Sequence, residues 1–205
     1  MKKLLLTLLF STFMQTSHAS TLQTLQNEWA IANYQLTGDE QVEAFESLAN
    51  RAESAVREHP NDPELLLWEG IIKSTYAGKA GGLSALSLVK AAKSSFEKAM
   101  EINDAVMQGS AYTSLGALYY QVPGWPIAFG SDKKAKQLLE KALVMNPDGI
   151  DSNYFYADFL VQQKDYASAK KVLLHALEAP QRPGREVADY GRRQEIKALL
   201  AKIES

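Results

Sequence analysis

One spacing constrains this chain more than any other property. Ala142 and Ala176 lie 34 residues apart and share a local frame: Ala135, Leu139 and Ala142 in one place, Ala169, Leu173 and Ala176 in the other. Steps of three, four and seven put such residues on one face of a helix. Ahead of each set lies a second helical set, Tyr112, Leu115, Gly116 and Tyr119 in the first case and Tyr156, Ala157 and Leu160 in the second. The repeating unit is therefore a pair of helices. Leu115 and Tyr119 point inward, Gly116 lets two helices approach closely, Ala135 and Ala142 are small where backbones cross, and Pro147 ends the unit. A unit of this length cannot bury its apolar face alone, so neighbouring units must stack to share a core.

The order Tyr112-x2-Leu115-Gly116-x2-Tyr119, then Ala135-x3-Leu139-x2-Ala142-x4-Pro147, is the skeleton of a tetratricopeptide (TPR) helix pair with an enlarged loop. The expected fold is all-α, a TPR-like right-handed helical solenoid of about nine helices. It forms a single domain over residues 20–205, with its best repeats at about 109–147 and 150–180. A degenerate repeat covers about 63–104, where Gly70, Ala92, Phe96 and Ala99 fit but Glu69 and Lys73 stand where Leu and Tyr are usual. A looser helix pair, 22–36 and 40–58, ends at Pro60 with Ala52 and Ala55 in the small-residue positions. Glycine and proline punctuate the joints, and Asp62 and Ser131 stand where helix N-caps are wanted. Two segments, Thr75 to Leu88 and Gln121 to Asp132, read as enlarged loops between the helices of their units.

The first nineteen residues read as a secretory signal peptide outside this fold. Lys2-Lys3 precede an apolar run from Leu4 to Met14, and Ser17-His18-Ala19 has small residues at both recognition positions, predicting cleavage before Ser20. The run is too short to span a bilayer, and no transmembrane helix is expected in the mature chain. Cleavage would take the formal charge from −2 to −4, which argues against nucleic acid as a partner. The chain has no cysteine, so neither a lipid-anchored lipoprotein nor a disulfide is expected. A soluble, exported protein of the bacterial periplasm is the expectation.

Loops carry function more often than scaffold helices do, and the second enlarged loop is unusually apolar: Val122-Pro123-Gly124-Trp125-Pro126-Ile127-Ala128-Phe129-Gly130. Exposed aromatics are costly, so two readings stand. Trp125, Ile127 and Phe129 fold back and plug the stack, or they line a pocket with Tyr119, Tyr120, Tyr154 and Tyr156.

The segment 114–130, with Asn146-Pro147-Asp148-Gly149-Ile150-Asp151 and Asn153-Tyr154-Phe155-Tyr156, resembles a family of exported bacterial TPR proteins to which no catalytic residues are assigned. More distantly, the repeat layout and the Gly-rich insertion before Asp132-Lys133-Lys134-Ala135-Lys136 are similar to the T component of TRAP-type transporters. That likeness implies a helical protein that binds an apolar ligand or docks on a substrate-binding protein.

Chemistry-bearing motifs are sparse. His59 and His175 have no metal-ligand spacing, and no metal or cofactor is expected. Gly78-Lys79-Ala80-Gly81-Gly82 lacks the spacing and the preceding strand of a phosphate loop. No nucleophile motif supports an enzyme, and no catalytic residue is named. Asp148, Asp151 and Asp158 surround a helix start, where acids favour the positive end of the helix dipole. Arg182, Arg185, Arg192 and Arg193 crowd the last connection and helix; Arg185 and Arg192, two turns apart, hold an anion with Lys197 or simply face water at the end of the stack.

Two functions follow. In one, the chain is a non-enzymatic scaffold for a protein or peptide partner laid in the concave groove. In the other, it carries a small apolar ligand under the aromatic insertion 121–132. The candidate binding residues are Tyr112, Tyr119, Tyr120, Trp125, Phe129, Asn153, Tyr154, Tyr156, Arg185 and Arg192.

Overall fold

A computed structural model describes residues 20–204, and the proposed signal peptide lies outside the described residues. Among these, the chain forms α-helices joined by short connections and one 3₁₀ turn, with no strand. The helices are α1 (20–34), α2 (Gly38–Glu58), α3 (Pro63–Ala80), α4 (Gly82–Ile102), α5 (Ser110–Gln121), α6 (Asp132–Met145), α7 (Ile150–Gln162), α8 (Tyr166–Leu177) and α9 (Glu186–Glu204). They pack as successive antiparallel pairs with α9 as a final single helix, an all-α, TPR-like stack.

Local signals explain the boundaries. Asp62 starts α3 by accepting from the backbone N–H of Glu64 and Leu65 at 2.8 and 3.0 Å, with Pro63 at the first helical position. Buried Gln41 ends α1 differently: its Nε2 donates to the carbonyls of Ala32 and Leu36 at 2.7 and 2.8 Å, satisfying acceptors that the helix leaves open. Gly116 sits where α5 crosses α6. A Cβ there would meet Leu139 Cγ at 2.8 Å, so the helices come this close only because the side chain is absent.

The segment from Thr75 to Leu88 is a correction. It is helix nearly throughout: α3 runs on through Gly78 to Ala80, a single residue, Gly81, turns the chain at φ 63°, and α4 begins at Gly82. Buried Ala77 and Val89 and partly buried Ala85 and Leu88 join the core, and their burial offsets the roughly 1 kcal/mol by which glycine disfavours a helix interior.

The core has three connected parts. One gathers α3 to α7 around Leu67, Phe96, Leu115 and Leu139; a second gathers α1 to α3 around Leu25, Trp29, Phe45 and Leu65 and takes in Ala188 of α9; a third gathers α7 to α9 around Leu173 and Ile196. Ala188 is the notable member, because it belongs to the last helix and packs with the first pair.

Candidate functional site

The presence of Ala188 in that cluster reflects a closure of the stack on itself. Arg185 Nη1 donates to Gln26 O at 3.1 Å, Gln23 Nε2 to Gly184 O at 3.3 Å, and Tyr34 Oη to Glu195 Oε2 at 3.2 Å. Gly191 lies flat on the Tyr34 ring, and a Cβ there would come within 2.3 Å of it. Most of the length of α1 thus meets the first half of α9 and the connection before it along a seam, although some 160 residues separate them in sequence.

Closure turns the concave side into a central cavity of about 790 Å³, walled by the first helix of each pair, the turn before α5, and α9. One side is apolar, formed by Leu67, Trp68, Ile71, Leu118 and Phe155 with Trp29. Trp29 and Trp68 meet edge to face at 5.8 Å and each indole N–H has an acceptor, Thr75 Oγ1 at 3.1 Å and Met107 Sδ at 3.4 Å. Met107 and Gln108 hold left-handed backbone, φ 43° and 56°, which costs about 1–2 kcal/mol per non-glycine residue and is held here by the packing of Met107 against Trp68.

The other side is ionic. Asp151, in the first turn of α7, accepts from Arg182 Nη1 and Arg192 Nε, both at 2.8 Å. Arg182 also reaches Asp189 at 2.6 Å and Arg192 reaches Glu195 at 2.6 Å. Burial pushes the Asp151 carboxyl up, but Arg192 and then Arg182 outweigh it and bring it down to about 2. Arg192, itself buried, lies over the rings of Tyr154 and Phe155 at 4.2 and 4.7 Å. Arg185 stands apart: its guanidinium lies 4.8 Å over Trp68 and 6.0 Å from Trp29, it donates to a backbone carbonyl, and no described carboxylate pairs with it.

The structure distributes the predicted residues widely. Tyr154, Arg185 and Arg192 line the cavity. Asn153 is buried and ties the turn before α7, donating to Pro147 O and Gly149 O at 2.7 and 2.9 Å. Tyr120 is buried and donates to Asp158 at 2.8 Å; burial first, then Asp158, pushes its hydroxyl up. Tyr112 is buried beside Asp104 and Lys141, whose ammonium sits 4.0 Å over its ring. Tyr156 lies instead on a shallower groove between α6, α7 and α8, with Lys133, Lys136 and His175.

The aromatic insertion is a second correction. Phe129 folds back, meeting Tyr119 edge to face at 5.4 Å, but Trp125 is 89% and Ile127 61% exposed. They neither plug the stack nor close the cavity. A third concerns the arginines read as a water-facing end: Arg192 is 6% exposed, Arg182 is half-buried, and Arg193 donates to the carbonyls of Leu177 and Ala179 past the end of α8, each at 2.5 Å. Asp151 is likewise an ion-pair partner rather than only a helix-terminus charge. Trp29 and Trp68, central to the wall, had no signal beyond lying on the first helices of units with weak repeat patterns.

The fold and the site define an all-helical repeat protein whose first and last described helices meet beside a partly open central cavity. Residues 133–203, from the start of α6 through α9, match the tetratricopeptide repeat family. No curated protein matches the sequence. Among solved structures, one described as the crystal structure of MamA is similar at 16% identity and a TM-score of 0.46, over 78% of this chain and 86% of that one. Another, described as MamA protein, is similar at 16% identity and a TM-score of 0.45, over 90% of this chain and 91% of that one.

Proposed function

We propose that this chain is a non-enzymatic, exported TPR-type scaffold that holds a protein or peptide partner in the bacterial envelope, and that the partner anchors on the 122–131 loop. The observation that carries this reading is the exposure of Trp125 and Ile127 on a loop whose base is fixed. Gly130 N donates to Pro123 O at 2.9 Å, Ser131 N to Tyr119 O at 2.8 Å, and Phe129 is locked against Tyr119. An apolar tip held this way loses little conformational freedom on binding, and tryptophan is among the side chains that dominate interface energies. The seam between α1 and α9 stands in the way of an internal polypeptide segment entering the concave side, which favours an outer docking point. The charged groups of the cavity, Asp151, Arg182 and Arg192, are spent on one another rather than poised for catalysis. Export is supported by the charged start, apolar run and small residues of the first nineteen positions. No helix among the described residues is long and apolar enough to cross a membrane.

The test is a photo-reactive side chain placed at Trp125 and, as a control, at Val144, which is 83% exposed on α6. Irradiation in cells should give a discrete protein adduct at 125 and none at 144. Trp125→Ala should melt within about 0.5 kcal/mol of the parent while losing the co-purifying partner. Equal labelling at both positions, or none, removes the loop as the docking point.

A further inference from the structure

The central cavity poses a question that docking on the 122–131 loop does not answer. A space of about 790 Å³, apolar on one side and ionic on the other, has the size of small-molecule sites. The charged groups on its wall are Lys79, Arg182, Arg185 and Arg192 against Asp148, Asp151 and Glu195. Asp151 and Glu195 are engaged by Arg182 and Arg192; Asp148 is largely exposed and lies 3.1 Å from His175 Nε2. That leaves Arg185 and Lys79 as the cations on this wall without a carboxylate partner. Lys79 is exposed, whereas Arg185 is half-buried between the ionic cluster and the two indoles. Burial, and then the neighbouring Arg182, lower the basicity of Arg185 more than the nearby carboxylates of Asp151 and Asp189 raise it.

We infer that the central cavity binds a small amphiphilic carboxylate, with its acid group paired to Arg185 and its apolar body against Trp29, Trp68 and Phe155. A planar guanidinium takes a carboxylate through two parallel N–H···O bonds, and Arg185 has one N–H engaged, by Gln26 O. The apolar side begins where the guanidinium ends, because Arg185 rests on the Trp68 ring. A neutral apolar molecule would leave the cation unpaired, and a small hydrophilic anion would leave the indole side unfilled. The site differs from the one expected under the aromatic insertion in place and chemistry, and it does not depend on where a protein partner docks.

The chain has three tryptophans, so Trp125→Phe leaves only Trp29 and Trp68 as fluorophores, both on the cavity wall. In that background, decanoate and its neutral counterpart decanol are titrated below the concentrations at which they self-associate. Decanoate should give a saturable change in tryptophan emission and bind about 10-fold more tightly than decanol. Arg185→Gln should bring decanoate down to the decanol level and leave decanol unchanged. Because Arg185 also ties α9 to α1, Gln23→Ala, which removes another bond of the seam, serves as a control and should keep the decanoate preference. The inference is overturned if neither probe gives saturable binding or if decanol matches decanoate. It also fails if Arg185→Gln weakens both probes alike, or if Gln23→Ala abolishes the preference as fully.

Discussion

Asp151 shows how one residue serves two levels of the structure. It begins α7 and also accepts from two arginines that arrive from the connection to α9 and from α9 itself. Its carboxyl falls from 3.8 in the ordinary state to about 2 in the fold, so the folded chain holds the charged form more tightly than the unfolded chain does. The stabilisation is complete above about pH 4 and is lost as pH falls through about 2. Since 35% of the side chain is exposed, solvent screens the pairs and Asp151→Asn should cost on the order of 1–2 kcal/mol near neutral pH. Urea unfolding at pH 5 and pH 2.5 should show a smaller drop between the two pH values for the variant than for the parent. Identical drops would mean that the ion pairs do not form in solution. At this scale the sequence was legible wherever a residue's role is local. Leu115, Gly116, Leu139 and Ala142 could be placed by spacing, and Asp62 and Ser131 by capping chemistry. Arg192 could not: Glu195 lies one turn away on the same helix, but Asp151, 41 residues away, reaches it only through folding.

Among the elements, α9 does more than end the stack. Ile196 and Leu199 bury themselves against α7 and α8, while Ala188 and Gly191 on its first turns cover α1. Removing residues 186–205 should therefore loosen two places at once. Backbone hydrogen exchange is expected to accelerate in α7 and α8 and also in α1, with α4 and α5 changed least. Acceleration confined to α7 and α8 would show that α9 is only a cap. The helix pairs themselves follow from a repeated apolar pattern, whereas the lengths of α3 and α4 do not. Gly78, Gly81 and Gly82 have the composition of a loop, yet only Gly81 separates the helices, because tertiary burial of Ala77 and Val89 overrides a local propensity of about 1 kcal/mol. The reverse holds for 122–131, where aromatic content suggested burial and a backbone-bonded loop instead leaves Trp125 in water.

For the whole molecule, the decisive feature is that the first and last described helices meet. A repeat stack in which each unit touches only its neighbours would leave an open concave face. Here the contacts between Gln23 and Gly184, Gln26 and Arg185, and Tyr34 and Glu195 close that face into a cavity with one apolar and one ionic side. Periodicity along a chain carries no information about such a return, since it is set by the small rotation accumulated over every pair. The chain lacks cysteine, so a spin label can be placed at Thr24→Cys on α1 and Tyr190→Cys on α9, two exposed positions that make no seam bond, without competing thiols. The distance between them, measured by pulsed electron resonance in frozen solution, tests the closure directly. A single, narrow distribution at the short distance of adjoining helices is the predicted result. A broad distribution centred at a distance comparable to the width of the molecule would mean an open stack, with no seam and no cavity bounded by it.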